Sequence, residues 1–564
     1  MKSSLHRKLR LLAVLSFLLL LCAPALAQDA SAIPDAAEAW DEATAVHIGF
    51  EGDTVDIQGD GATLSNGVLN IHTAGTYVLT GTWNNGQVRI DADKEDTVRL
   101  VFSGVSIHCA DNAPLYALRA DKVILTLVKD TVNTLSDGNT YTYPDGETEP
   151  DAALYVQDSL VINGRGSLSV TANFKHGIVS KDDLLIENGI LWVTAADVGI
   201  RGRDTLTISG GEITALTMGD ALQSNNDEDS EKGRISLTGG TYHLTSSKDG
   251  IQAESSLTIS GGDYTLYTGG VTPAQGEFKP EDWQPDDSSA NAPGKGLKAG
   301  SGLNISGGTF KLFCADDAIS ADGSITIQDG IFEIATKDDG LCAHGPVTIS
   351  GGELTLQTCY EGIDAAGIFI SGGTVNVNAL DDGFNSANDG DPSSGDSGQE
   401  NSVMPEGSSV RITGGEVTIN ALGDGIDASG SIALEGGTLT VLSSNGNKSA
   451  VNFVDSFLVS GGVLIASDST GMVKAPSPDS SQPCMMVSLS TPLRAGCQIA
   501  ITAEDGGTVL SCTPMQDFQA LLLSTPGLDF GKSYTLTANG ETLLTAKLNE
   551  TVTVVSQDSG SEKD

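Results

Sequence analysis

The chain of 564 residues carries 74 acidic against 30 basic side chains, a net charge of −44, and 68 glycines in addition to 39% apolar residues. An acidic surface of this kind excludes nucleic acid as a partner, because phosphate contacts need clustered Lys and Arg, and an anionic ligand can be met only through bound cations. So much glycine excludes a helical protein, and without a Gly-x-y period it is not collagen; turns at regular spacing are its remaining use.

In chain order, Lys2, Arg7, Lys8 and Arg10 precede an apolar run from Leu11 to Cys22 and the small-residue site Ala25-Leu26-Ala27. Residues 1–27 therefore read as a secretory signal cleaved after Ala27. The run is too short for a membrane span, and no other approaches the roughly 20 residues required. The mature chain is expected to be secreted, with cell-surface association left open. A lipid anchor on Cys22 is the alternative, against which stands Leu21, where lipoprotein signals carry a small residue. Residues 28–66 read as a leader and N-terminal cap.

From about Gly67 a repeat takes over. Early segments such as 98–102 and 123–127 look like strands of irregular coils, and then a motif apolar-x-apolar-x-Gly-Gly recurs. Its first turn position falls at Asn188, Gly210, Gly239, Gly261, Gly307, Asp329, Gly351, Gly372, Gly414, Gly436 and Gly461. The period is about 22 residues, the mark of a stacked repeat. Its longer steps hold loop-like insertions at 225–232, 269–293 and 386–407, rich in Asn, Asp, Ser, Pro and Gly. Within a period the alternation is strand-like, as in 256–260 followed by Gly261-Gly262 and 264–267. Strands this short cannot bury an apolar face alone, so neighbouring coils must stack. The expected fold is an all-β, right-handed parallel β-helix over residues 67–472, the hand following from the general crossover preference of parallel strands. GGxGxD nonapeptides and the LxxLxLxxN motif are absent, which excludes their solenoids.

Pro476, Pro478 and Pro483 break the pattern, and 484–555 alternate strand-like segments with Gly-containing turns, as a small β-sandwich-like domain or cap would. Residues 556–564 are polar and expected to be disordered. Of eight cysteines, Cys109, Cys314, Cys342, Cys359, Cys484, Cys497 and Cys512 follow the signal, an odd number without CxxC spacing. They read as small buried hydrophobes.

A second motif precedes each Gly-Gly strand, as in Lys248-Asp249-Gly250-Ile251, Lys337-Asp338-Asp339-Gly340 and Gly423-Asp424-Gly425-Ile426-Asp427. Aligned by coil, one column reads His176, Val198, Asp220, Asp249, Lys295, Asp317, Asp339, Glu361, Asp382 and Asp424. Coils lie roughly 4.8 Å apart, so stacked carboxylates repel by about 3 kcal/mol per pair at an effective dielectric of 20. Counter-ions, protonation or splay must relieve them. Asp-Gly is also a favoured turn pair, which accounts for a single Asp before Gly. It does not account for the doubled acids Asp316, Asp338 and Asp381, nor for Asp364, Asn385 and Asp427 just beyond the apolar residue. Hard oxygens at this density suit Ca²⁺, with Asp316, Asp317, Asp338, Asp339, Glu361, Asp364, Asp381, Asp382, Asn385, Asp424 and Asp427 as candidate ligands. The histidines are too scattered for Zn²⁺ sites.

The stretches 163–173, 177–184, 199–204 and 220–229, together with these turns, resemble the bacterial β-helical carbohydrate-binding family first described from cellulolytic clostridia, whose fold is similar to that of pectate lyases. The resemblance covers most of residues 70–550. It implies Ca²⁺-assisted binding of plant cell-wall polysaccharide, notably acidic galacturonan, with cellulose as a further ligand. His176 and Val198 stand where the family often has Asp, and Ala221 and Ala318 where it has Gly.

Three functions compete. A non-catalytic binder would use Ca²⁺ to bridge turn carboxylates to sugar carboxylates, with Lys181, Arg201, Arg203 and the insertion residue Trp283 as further sugar contacts. A polysaccharide lyase would use one of Lys181, Arg201, Arg203 and Lys298 as base beside Ca²⁺; the plain alternative for each is a counter-charge on an acidic surface. A structural adhesin would need only the rigid stalk.

Overall fold

A computed structural model describes residues 39–143, 146, 148–271, 294–386, 409–443, 448–469 and 473–556. The expected signal at 1–27, the insertion carrying Trp283 and the tail from 557 lie outside the described residues. Among the described residues every regular element is a strand, and no helix is long and apolar enough to cross a membrane.

Through most coils the strands form three parallel ladders in which each pairs with the third strand after it, while Leu341–Ile349 and Ile363–Ile370 each run through two ladders. One ladder runs His176–Ser180, Ile200–Gly202, Leu222–Ser224, Ile251–Ala253, Leu297–Ala299 and Ile319–Ala321. A second runs Asp183–Ile186, Thr205–Ile208, Arg234–Leu237 and Ser256–Ile259. The third runs Ser167–Ala172, Ile190–Ala195, Glu212–Thr217 and Thr241–Ser246. Three strands per coil, stacked in register, are consistent with a parallel β-helix.

Period-two alternation produces this directly. In Ser256–Ile259 the side chains of Leu257 and Ile259 are buried while Thr258 is exposed, and register places Leu257 between Ile235 and Leu303. Like residues thus stack on like, and each buried Leu or Ile contributes about 1.5–3 kcal/mol. Tyr242, Tyr264, Phe310 and Phe332 form one such column, with ring centroids 4.5, 4.8 and 4.5 Å apart and planes within 5°. The bend between second and third ladders requires glycine. Gly262 has φ +110°, and an added Cβ would lie 2.9 Å from Tyr264 Oη and 3.1 Å from the Gly240 carbonyl.

Parallel pairing begins before the repeat becomes visible. Val46–Gly52 pairs in parallel with Gly75–Trp83 and antiparallel with Thr54–Gln58, inside the segment expected as a cap. Its buried Ile48 and Phe50 supply the same alternate inward positions without a Gly-Gly bend. At the other end the pairing changes direction. Val463–Asp468 pairs antiparallel with Phe518–Ser524, which also pairs antiparallel with Cys484–Leu493. An antiparallel neighbour at this edge stops further parallel stacking. A separate four-stranded antiparallel sheet holds Ile499–Ala503, Thr508–Cys512, Ser533–Ala538 and Glu541–Lys547. Its Ile499, Ile501, Tyr534 and Leu536 share an apolar cluster with Ile465, Met485, Phe518 and Leu521 of the first sheet.

Candidate functional site

The turn leading from the third ladder into the first carries the acids. Its backbone fixes their register: the N–H groups of Gly296, Ala318, Gly340, Gly362 and Gly383 donate to the carbonyls of Asp317, Asp339, Glu361, Asp382 and Asp424, at 2.9–3.1 Å. The side chains continue the pattern. Asp317 accepts the Asp339 N–H at 3.3 Å, Asp339 the Glu361 N–H at 3.1 Å, and Asp382 the Asp424 N–H at 2.6 Å. Asp220 and Asp249 do the same for Asp249 and Lys295. Each column aspartate therefore satisfies an amide of the next coil, leaving the rest of its carboxylate for other partners. Glu361, one methylene longer, instead accepts from Asn385 Nδ2 at 3.1 Å.

A second column lies beside the first. The short strands Ile319–Ala321, Phe384–Ser386 and Ile426–Ala428, and the first residues of Leu341–Ile349 and Ile363–Ile370, bury the apolar residue that follows each turn glycine or Ala318. The next residue is aligned across coils as Ser320, Cys342, Asp364, Asn385 and Asp427. Among the described residues four groups result, each with ligand atoms within 4.8 Å of one another: Asp316–Asp317–Asp338, Asp317–Asp339–Cys342, Asp339–Glu361–Asp364 and Asp382–Asp424–Asp427. Of the expected acidic ligands, Asp381 stands outside them. Asn385 is bonded to Glu361, and Asp381 accepts the Tyr360 hydroxyl at 3.1 Å. Cys342, which composition suggested as buried filler, is half-buried and enters a group.

Burial and crowding disfavour these charges. Burial first, then Asp364, pushes the Glu361 carboxyl up to about 8 against the pull of Asn385. Burial, then Asp317 and Glu361, drives Asp339 well above the usual carboxylate range. Burial lifts Asp382 to about 6, although the Asp424 amide opposes it. Two lysines relieve the ends. Lys295 Nζ lies 3.0 Å from Asp316 and bonds Asp317; Lys448 Nζ lies 3.3 Å from Asp382, 3.4 Å from Asp424 and 3.8 Å from Asp381. Burial works against both ammonium groups, but the acids hold them above the ordinary lysine range. Neither lysine was singled out in the sequence as a counter-ion.

The expected sugar-contacting cations, and the candidate base Lys298, face acids of this chain. Lys181 pairs with Glu149 at 2.7 Å, and Arg203 with Glu228 at 2.9 Å. Arg201 lies 3.8 Å from Asp151 and 3.3 Å from His176 Nε2, and Lys298 lies 3.9 Å from Asp249. Buried His176 takes the column role of an aspartate, its Nδ1 accepting the Val198 N–H at 3.3 Å while Nε2 sits 3.3 Å from Asp151. Against the upward push of burial, His176, Lys175 and Arg201 hold Asp151 below the usual carboxylate range.

A family model described as carbohydrate-binding domain-containing protein matches residues 65–340 and 334–481. A carbohydrate-binding domain-containing protein of Acetivibrio thermocellus is 33% identical over 225 residues, 40% of this chain and 79% of that protein. A solved structure of the polysaccharide lyase-like protein from C. thermocellum, a gadolinium derivative, is 35% identical, with 40% of this chain and 92% of that one covered and a TM-score of 0.39.

Proposed function

The chain belongs to the carbohydrate-binding domain-containing protein family, and from that premise we propose that it is a secreted, non-catalytic binder of acidic plant cell-wall polysaccharide. Ca²⁺ on the Asp-rich turns joins protein carboxylates to sugar carboxylates. The observation that carries this reading is the convergence of Asp339, Glu361 and Asp364 from two adjacent coils. These residues fit the ion: the donors are hard oxygens, and burial with repulsion from neighbouring acids disfavours the charge of Asp339 and Glu361 in its absence. Three carboxylates also leave part of a shell of six to eight oxygens for a sugar carboxylate. When bound, Ca²⁺ supplies the positive charge that two anionic partners lack.

Around it, the amides of Glu361 and Asp339 fix the register of the turn, and Asn385 orients Glu361. The ion pairs of Lys181, Arg201, Arg203 and Lys298 favour charge balance over a proton-abstracting role. Residues 1–27 support export, and the crossovers are taken as right-handed.

A pull-down on polygalacturonate and on cellulose, with Ca²⁺ and with chelator, tests the proposal. Retention on polygalacturonate is expected with Ca²⁺ and lost with EGTA. Binding that survives EGTA unchanged overturns the bridging role, and unsaturated-product absorbance with pectate would assign the site to a lyase.

A further inference from the structure

The acid column from Asp316 to Asp427 is flanked on both sides by a lysine that comes from the column's own turn. Lys295 holds the column position one coil before Asp317: its carbonyl accepts the Gly250 N–H at 2.9 Å and its N–H donates to Asp249 at 2.9 Å. Its side chain runs one coil onward to Asp316 and Asp317. On the far side Ser449 holds the column position, its carbonyl accepting the Gly425 N–H at 3.0 Å. Lys448, immediately before it, therefore stands where other coils place Asp316, Asp338 and Asp381. Its side chain runs back to Asp382 and Asp424.

We infer that Lys295 and Lys448 are tethered counter-ions occupying the two ends of the column, so that divalent ions enter between them and not at the end groups. This rests on the metal-bridging reading above. An ammonium is a compact cation with three donors, and carboxylate lone pairs engaged by it are closed to a metal. Lys295 engages two members of Asp316–Asp317–Asp338 and shares Asp317 with the group containing Cys342. Lys448 engages two members of Asp382–Asp424–Asp427. Asp339–Glu361–Asp364 shares no member with either lysine's pairs. The lysines thus set how many ions the strip takes and where the cation-bridged strip stops.

The test uses the full mature chain and its K295Q, K448Q and K295R variants. Bound Ca²⁺ is counted by equilibrium dialysis, with Tb³⁺ luminescence as a second probe and thermal unfolding in EDTA and in Ca²⁺. Each Gln variant should gain about one ion, melt lower in EDTA, and recover more of its melting temperature with Ca²⁺ than the parent does. K295R, which keeps the charge, should gain none. Folded Gln variants with the parent's ion count overturn the inference. A Gln variant that folds only with Ca²⁺ supports it, and one that stays unfolded with Ca²⁺ overturns it. The parent's own ion count tests the bridging reading separately: a parent that binds no ion sinks that reading, whereas ions gained by the Gln variants alone still uphold the lysines' role.

Discussion

Two stretches of one column, built on the same backbone, handle charge in opposite ways. In the coils of His176 and Val198 the column is a buried imidazole and an apolar side chain, and Asp151 is met by Lys175, His176 and Arg201. Between Asp316 and Asp427 the same turn places carboxylate above carboxylate, and burial lifts Asp339, Glu361 and Asp382. Both stretches satisfy the neighbouring coil's amide, through His176 Nδ1 in one and Asp317, Asp339 or Asp382 in the other. The coil geometry therefore does not require an acid. What the acids add is a demand for cations, which the early coils meet internally and which, in the proposed reading, Ca²⁺ meets in the middle of the late coils.

The largest expected effect separates the two stretches by ligand. The double variant D339N/E361Q should lose Ca²⁺-dependent retention on polygalacturonate by more than the roughly 10–100-fold that loss of a supporting residue costs a metal site. R201Q should leave retention unchanged; equal losses in both would erase the distinction. In stability the order reverses. Arg201 and Asp151 are only 13% and 16% exposed, so R201Q should cost about 1–3 kcal/mol in urea unfolding by leaving buried charge partly unmet.

The pH dependence should have opposite signs. Glu361 is raised from an ordinary 4.5 to about 8, so the folded metal-free protein holds more protons than the unfolded chain across that window. Its contribution is present at low pH and is lost as pH rises through 8. Ca²⁺ should flatten this slope, and E361Q should remove it. His176 is lowered, first by burial and then by Arg201, although Asp151 opposes. Its contribution is present above about pH 6.5 and is lost as pH falls, a slope that H176N should abolish in melting temperatures recorded from pH 5 upward. The smallest effect concerns Ala318, which stands in the turn where most coils have glycine. A318G should cost about 0.4–1 kcal/mol through the freer unfolded chain and leave the ion count untouched.

Much of this site is legible in the amino-acid sequence. The Gly-Gly spacing aligns Asp317, Asp339, Glu361, Asp382 and Asp424, because a fixed coil length puts equal offsets at equal places on the stack. The flanking acids Asp364 and Asp427 follow from their constant offset. Cys342 has the same offset from Asp339 but was missed since a thiol among apolar neighbours reads as core; the register with Asp364 puts it beside carboxylates. The strand Val46–Gly52 was missed because its turn lacks the glycine pair that marks later coils.

The sequence by itself determined the coil, its period and the column, since alternation and turn glycines act over a few residues and repeat. Only the tertiary structure decided which charges cancel. Lys448 reaches Asp382 across 66 residues and Arg201 reaches His176 across 25. Such pairs depend on which coil lies above which and on how far a side chain extends, and neither is encoded in the local pattern that builds the coil.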